Sequence, residues 1–252
     1  MPDNIVYAYD STLDGFLTCI FEMYEKKEHP AAIFKSDRIQ LVFGQRLRDI
    51  ETDLKKADRV YKGISEKIGG KTLDMIYYST LSCEHDAETA AMEFVRLGLK
   101  IGKRIHDSLT DSRVDRLLKV AKHVSKEQMR YIEFLRFGAL EGGVLFAEFE
   151  PEPHVLPLIM PHFTDRLNVQ PFIIHDKGRG LAGVYDTKQW YLISSQDMTL
   201  PEKSKDERDY RKLWKTFYNT VAIKERISEK RRMQHLPKKY WNYVTELRGC
   251  RQ

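Results

Sequence analysis

The chemistry this sequence could perform is concentrated in cations. Arg211, Lys212, Lys215, Lys224, Arg226, Lys230, Arg231, Arg232, Lys238 and Lys239 crowd one stretch, densest at 230–232 and 238–239. Guanidinium and ammonium groups hold phosphate oxygens, arginine in a bidentate manner. The pattern therefore points to a polyanion, most often nucleic acid. Such contacts position a nucleic acid without reading its bases. The competing reading is a solvated helical face kept basic for solubility. Arg136 and Arg179 are two further cations, expected near a sheet edge.

Proton-transfer chemistry has weaker candidates. His175-Asp176 closes an expected strand before a Lys177–Gly180 turn. It reads either as an acid–base pair at a sheet edge or as a turn whose Asp accepts from its own backbone. Neighbouring strand residues point to opposite faces, which disfavours a direct dyad. His162 completes the set. It stands eight residues after His154, ~12 Å along a helix, too far for one metal ion. The sequence has no GxxxxGK[ST] loop, GxGxxG turn, GxSxG elbow or cysteine-rich cluster. No cofactor and no metal are expected.

Composition sets the frame. The chain has 252 residues, 42% of them hydrophobic, enough for a substantial core. Residues 1–200 carry 27 Lys/Arg and 30 Asp/Glu, whereas residues 201–252 carry 15 and 7, so the excess positive charge lies in the last fifth. No apolar run approaches the ~20 residues that span a bilayer. Cys19, Cys83 and Cys250 make no disulfide framework. The expectation is a cytoplasmic protein that makes no membrane contact.

These residues need elements to position them. Residues 5–9 read as a strand and 12–27 as a helix. Ile33-Phe34 and Ile39–Phe43 read as short extended pieces. The spacing predicts helices over 53–68, 73–81 and 87–109, a helix capped by Asp111, and another starting at Ser125. Residues 144–149 read as a strand, and 154–167 as a helix shortened or broken by Pro157 and Pro161. Strands at 172–175, 181–185 and 190–193 form an antiparallel meander, because their links are too short for crossovers. A linker covers 194–206. Helices follow over 209–233 and after Pro237.

The fold class is α+β, a mostly helical chain around a small, mainly antiparallel sheet. The body spans 1–200, helical over 10–140 and strand-rich over 144–194. The basic helical segment 201–252 is expected to dock on it through a stripe of Tyr210, Leu213, Trp214, Phe217, Val221 and Ile227.

Several segments, in order, resemble one bacterial family. They are Tyr9-Asp10 with Leu13–Glu22, Arg130–Phe137, Phe149-Glu150-Pro151, His162-Phe163, Arg166-Leu167, Ile174-His175-Asp176 and Arg179. Leu213-Trp214, Phe217-Tyr218, Ile223, Glu225-Arg226 and Leu236–Trp241 complete the set. The chain is similar to the bacterial DNA metabolism and repair proteins that carry a domain of unknown function. After Arg226 it departs from the family pattern, with Ile227-Ser228 where an Asn is expected. The resemblance implies action beside a radical SAM (S-adenosylmethionine) DNA modification and repair protein. In some members it implies fusion to a uracil-DNA glycosylase-like domain. The expected function is a DNA-binding accessory. The alternatives are an enzyme acting on a damaged base or nucleotide through His162, His175 and Asp176, and a protein-binding adaptor without DNA affinity.

Overall fold

Strand β1 (Asp3–Tyr9) lies between β2 (Pro30–Lys35) and β3 (Arg46–Asp49) in a three-stranded parallel sheet. Val6, Tyr7, Ala8 and Tyr9 are all buried, the continuous apolar run of a strand covered on both faces. The computed structural model describes residues 3–196, 205–221, 228–245 and 247. Contacts divide the chain into two units, residues 1–126 with 152–154, and residues 127–151 with 155–252.

In the first unit β1 feeds α1 (Leu13–Glu25). Asp10 accepts from the Thr12 amide and hydroxyl at 3.0 and 2.7 Å and from the Thr52 hydroxyl at 2.8 Å. Thr12 in turn caps α1 by accepting from the Gly15 amide at 2.9 Å. A side chain at Gly15 would collide with Asp10 and Thr52. The Asp10…Gly15 spacing is therefore the spacing of a tight strand-to-helix turn. Helix α4 (Ala87–Ile101) packs on β2, and α2 (Leu54–Lys67) and α3 (Gly70–Leu81) pack on α1, on α4 and on each other. Phe16, Leu17, Ile20, Ile33, Ile64, Ile76, Phe94 and Val95 belong to the common core.

Three expectations change here. Residues 39–43 are a loop rather than a strand, ending in a turn where the Gln45 amide donates to Val42 O and Gly44 takes φ +88°. Helix α4 stops at Ile101, because Gly102 adopts φ +69° and a 3₁₀ turn follows. The helix expected to begin at Ser125 is continuous with the one before it, as α5 (Ser112–Phe134). Its first half belongs to the first unit and its second half to the second.

Asp111 caps α5 as expected, accepting from the Arg113 amide at 3.0 Å and from the Arg113 guanidinium at 2.9 and 2.6 Å. The guanidinium, then the backbone bond, hold its carboxyl down to about 2. The depressed value means this stabilisation is complete above the ordinary carboxylate range and is lost as pH falls through about 2. A carboxyl-carbon NMR titration is expected to find the Asp111 midpoint near 2; a midpoint near 4 would contradict the capped geometry.

The second unit holds β4 (Gly138–Ala139), β5 (Leu145–Phe149), β6 (Phe172–Asp176), β7 (Leu181–Tyr185) and β8 (Trp190–Ser194), hydrogen-bonded in that order. The meander β6–β7–β8 is antiparallel, whereas β5 and β6 are parallel and joined through α6 (Leu156–Arg166). Pro157 sits in the first turn of α6, where no amide is needed, and the helix runs on past Pro161. The fold is α+β, with two sheets rather than one, since the first strands pair in parallel with each other.

The chain then forms α7 (Lys205–Val221), α8 (Glu229–His235) and a 3₁₀ helix at Lys238–Tyr243. The aromatic stripe of α7 is not core. Tyr210, Leu213 and Phe217 are 62%, 68% and 57% exposed. What does pack is the end of the segment, where Trp241, Val244 and Leu247 meet Phe134, Met233 and Leu236.

Candidate functional site

The proton-transfer candidates are not gathered into one centre. His162 is exposed on α6, its ring against that of the adjacent Phe163. His175 lies on β6 with Nε2 3.0 Å from Ser195 Oγ. Asp176 is fully buried, accepting from the Arg179 amide at 3.2 Å and from Arg179 Nη1 at 3.1 Å. Burial raises its carboxyl above the ordinary range, against the pull of Arg179. Arg179 Nη1 also donates to Pro151 O at 3.0 Å. Asp176 and Arg179 thus lock the β6–β7 turn. Among the described residues no group of three His, Cys, Asp or Glu could hold a metal ion, and no helix is long and apolar enough to cross a membrane.

The basic residues divide by their partners. Lys239 Nζ donates to both carboxylate oxygens of Glu127 at 3.0 and 3.2 Å. The adjacent Tyr240 hydroxyl donates to the same group, which is 2% exposed. Lys239 is exposed, and through this buried carboxylate it also anchors the segment. Lys238 pairs with Glu229 at 2.8 Å, and both it and Arg232 lie over the Trp241 ring. Lys212 pairs with Asp209 at 3.3 Å, and Lys230 is exposed. Lys224 and Arg226 lie outside the described residues, as do the side chains of Lys215 and Arg231.

Arg136 and Arg211 do meet, although 75 positions separate them in sequence. They line one cavity of the second unit with Glu148, Asn242, Tyr243 and Thr245, beside apolar Leu140 and Phe146. Arg136 follows the end of α5 and folds back, Nη1 donating to the carbonyls of Glu133 and Leu135 at 2.9 and 3.3 Å. Arg211 Nε donates to Glu207, one turn earlier on α7. The pair crosses β4 at Gly138, where a Cβ would lie 2.5 Å from Arg211 Nη2 and 2.7 Å from Glu207 Oε1. Only glycine lets the two side chains lie that close. Just past the end of β5, Glu150 accepts from the Tyr243 hydroxyl at 3.1 Å.

The cavity measures about 30 Å³. That is space for roughly two waters, enough to take in one or two oxygens of a phosphate but not a nucleotide. A guanidinium carries five N–H donors, so each arginine can keep its internal bonds and still donate inward. Asn242, Tyr243 and Thr245 add neutral polar groups, and Glu148 is the acid of the lining. Sequence reasoning found the two arginines but missed the neutral residues. Asn and Thr carry no charge signal, and their place depends on Lys239 and Tyr240, a few residues earlier, which tie the segment to Glu127.

A comparison with protein families matches residues 85–246 to a domain of unknown function, DUF4130. Neither the curated proteins nor the solved structures gave a match. The matched span covers more than half of the chain and contains every residue that lines the cavity, so the chain belongs to the DUF4130 family.

Proposed function

We propose that the protein is a nucleic-acid-binding accessory in DNA repair or modification, holding phosphate groups while a partner enzyme performs the chemistry. The observation behind this reading is the cavity to which Arg136 and Arg211 converge from distant segments, with neutral polar groups beside them. The resemblance to DNA metabolism proteins favours DNA as the polyanion, a radical SAM DNA modification and repair enzyme as the partner, and the cytoplasm as the setting. The direct-enzyme alternative has less support, since His162, His175 and Asp176 are not among the cavity residues. The adaptor alternative has one observation in its favour. Edge strand β8 leaves Tyr191, Leu192 and Ile193 exposed, a surface a protein could cover.

The test is fluorescence anisotropy with labelled oligonucleotides over a range of salt. Arg136→Ala and Arg211→Ala are each expected to weaken binding about tenfold, the worth of a charged hydrogen bond. Each should also make the log–log salt dependence shallower by about 0.9. Gly138→Val should reproduce the Arg211 effect by pushing that side chain aside, with little change in melting temperature. Wild-type titrations that stay flat at low salt would overturn the proposal.

A further inference from the structure

We infer that the exposed face of α7 is a stacking platform for unpaired bases, so that the nucleic acid held here is single-stranded. The inference rests on the phosphate reading of the cavity and specifies which nucleic acid enters it. Tyr210, Leu213, Trp214 and Phe217 share one helical face. Sequence periodicity assigned that face to the core, yet Tyr210, Leu213 and Phe217 are more than half exposed, and Trp214 is 36% exposed. The Trp214 and Phe217 rings lie 5.9 Å apart, tilted by 33°.

The charge beside the stripe says what covers it. From Tyr210 to Val221 the sequence carries Arg211, Lys212 and Lys215 and no Asp or Glu, the first two paired back to Glu207 and Asp209 in the preceding turn. All of the helix's acids, Asp206, Glu207 and Asp209, precede that stretch. Arg211 belongs to the cavity lining, so the stripe begins where the phosphate pocket ends. Alternating cations and aromatic faces suit a polyanion whose bases present their flat sides. In a duplex those faces are already stacked, so the rings of α7 can engage only splayed or unpaired bases. Tyr210 to Phe217 covers ~10.5 Å of helix, about the height of three stacked bases at 3.4 Å each.

The experiment compares a labelled oligothymidine with a duplex of matched length, using the full chain. Wild type is expected to bind the single strand at least about tenfold more tightly. Tyr210→Ser and Phe217→Ser should each remove about tenfold of that affinity, leave the salt slope unchanged and leave weak duplex binding intact. Arg136→Ala should instead change the slope for both ligands. Equal affinity for the two ligands, or stripe variants that bind like wild type, would overturn this inference while leaving the phosphate reading standing. A wild-type dimer that Phe217→Ser converts to monomer would also overturn it, by assigning the stripe to a second copy. Absence of all binding would remove both readings.

Discussion

Glu127→Ala is expected to release the segment around residues 236–247 from the second half of α5. Glu127 is 2% exposed and accepts from Lys239 and from Tyr240. Tyr240 is itself buried, its ring edge-on to Tyr131 at 5.2 Å and tilted against Phe134 at 6.2 Å. The Arg130 guanidinium lies 5.7 Å from the same ring and its Nη1 3.4 Å from the hydroxyl. Burial, then the carboxylate beside it, pushes the Tyr240 hydroxyl above its ordinary range, so it stays a donor at any working pH. Removing the carboxylate takes the acceptor from a buried hydroxyl and breaks the Lys239 ion pair. Hydrogen bonds to a charged group contribute about 1.5–3 kcal/mol each, and Lys239 is partly exposed, so a loss of roughly 2–3 kcal/mol is expected.

Urea unfolding and hydrogen exchange at the Trp241 indole check this result, since that N–H donates to Leu236 O at 2.9 Å within the same segment. Glu127→Gln, which keeps an acceptor for Tyr240, should lose less. Exchange as slow in the alanine variant as in wild type would refute the anchor. The effect should carry into function. Asn242, Tyr243 and Thr245 follow the anchor directly and line the cavity, so on the proposed reading oligonucleotide affinity should fall with docking.

The second large effect concerns the family boundary. A fragment beginning at residue 85 is expected to lose cooperative folding in its first forty residues. The match starts just ahead of α4, but the residues that cover α4 come earlier. Phe94, Val95 and Ala91 share a core with Tyr7, Tyr9, Phe16, Ile20, Ile33 and Ile64, all absent from such a fragment. Glu88, 3% exposed, would lose Lys35, which sits 3.2 Å away in the intact unit. The fragment should bind a hydrophobic dye strongly and keep far-ultraviolet helix signal without a sharp thermal transition in that region. A fragment of residues 85–252 that melts cooperatively as a monomer would show instead that the matched span is self-sufficient.

Local features were legible in the sequence because local rules set them. The β6–β7–β8 meander follows from two short polar links, and the cap of α5 from one aspartate. The parallel pairing of β1 with β2 and β3 had no such signature, because nothing near Pro30 or Arg46 names a partner strand. The stripe on α7 shows a second limit. Periodicity reports that a face is apolar but not whether anything covers it. Among the cations, the tie of Arg179 to Asp176 spans three residues and is a turn contact open to sequence reasoning. The tie of Lys239 to Glu127 spans 112 positions, which no pattern of spacing exposes.

That last separation also sets an order of events during synthesis. The first unit has all of its residues once position 154 is made. The second half of α5 still lacks the partner that buries Glu127 and covers Tyr131, and must wait for Tyr240 to be translated. At about 5–20 residues per second, the interval between positions 154 and 240 lasts roughly 4–17 s. For that time the ribosome displays a finished amino-terminal unit followed by an apolar helix face with an unpaired carboxylate in it. Transiently exposed apolar surface of this kind is aggregation-prone, so a slower message over this stretch lengthens the exposure without altering the final fold.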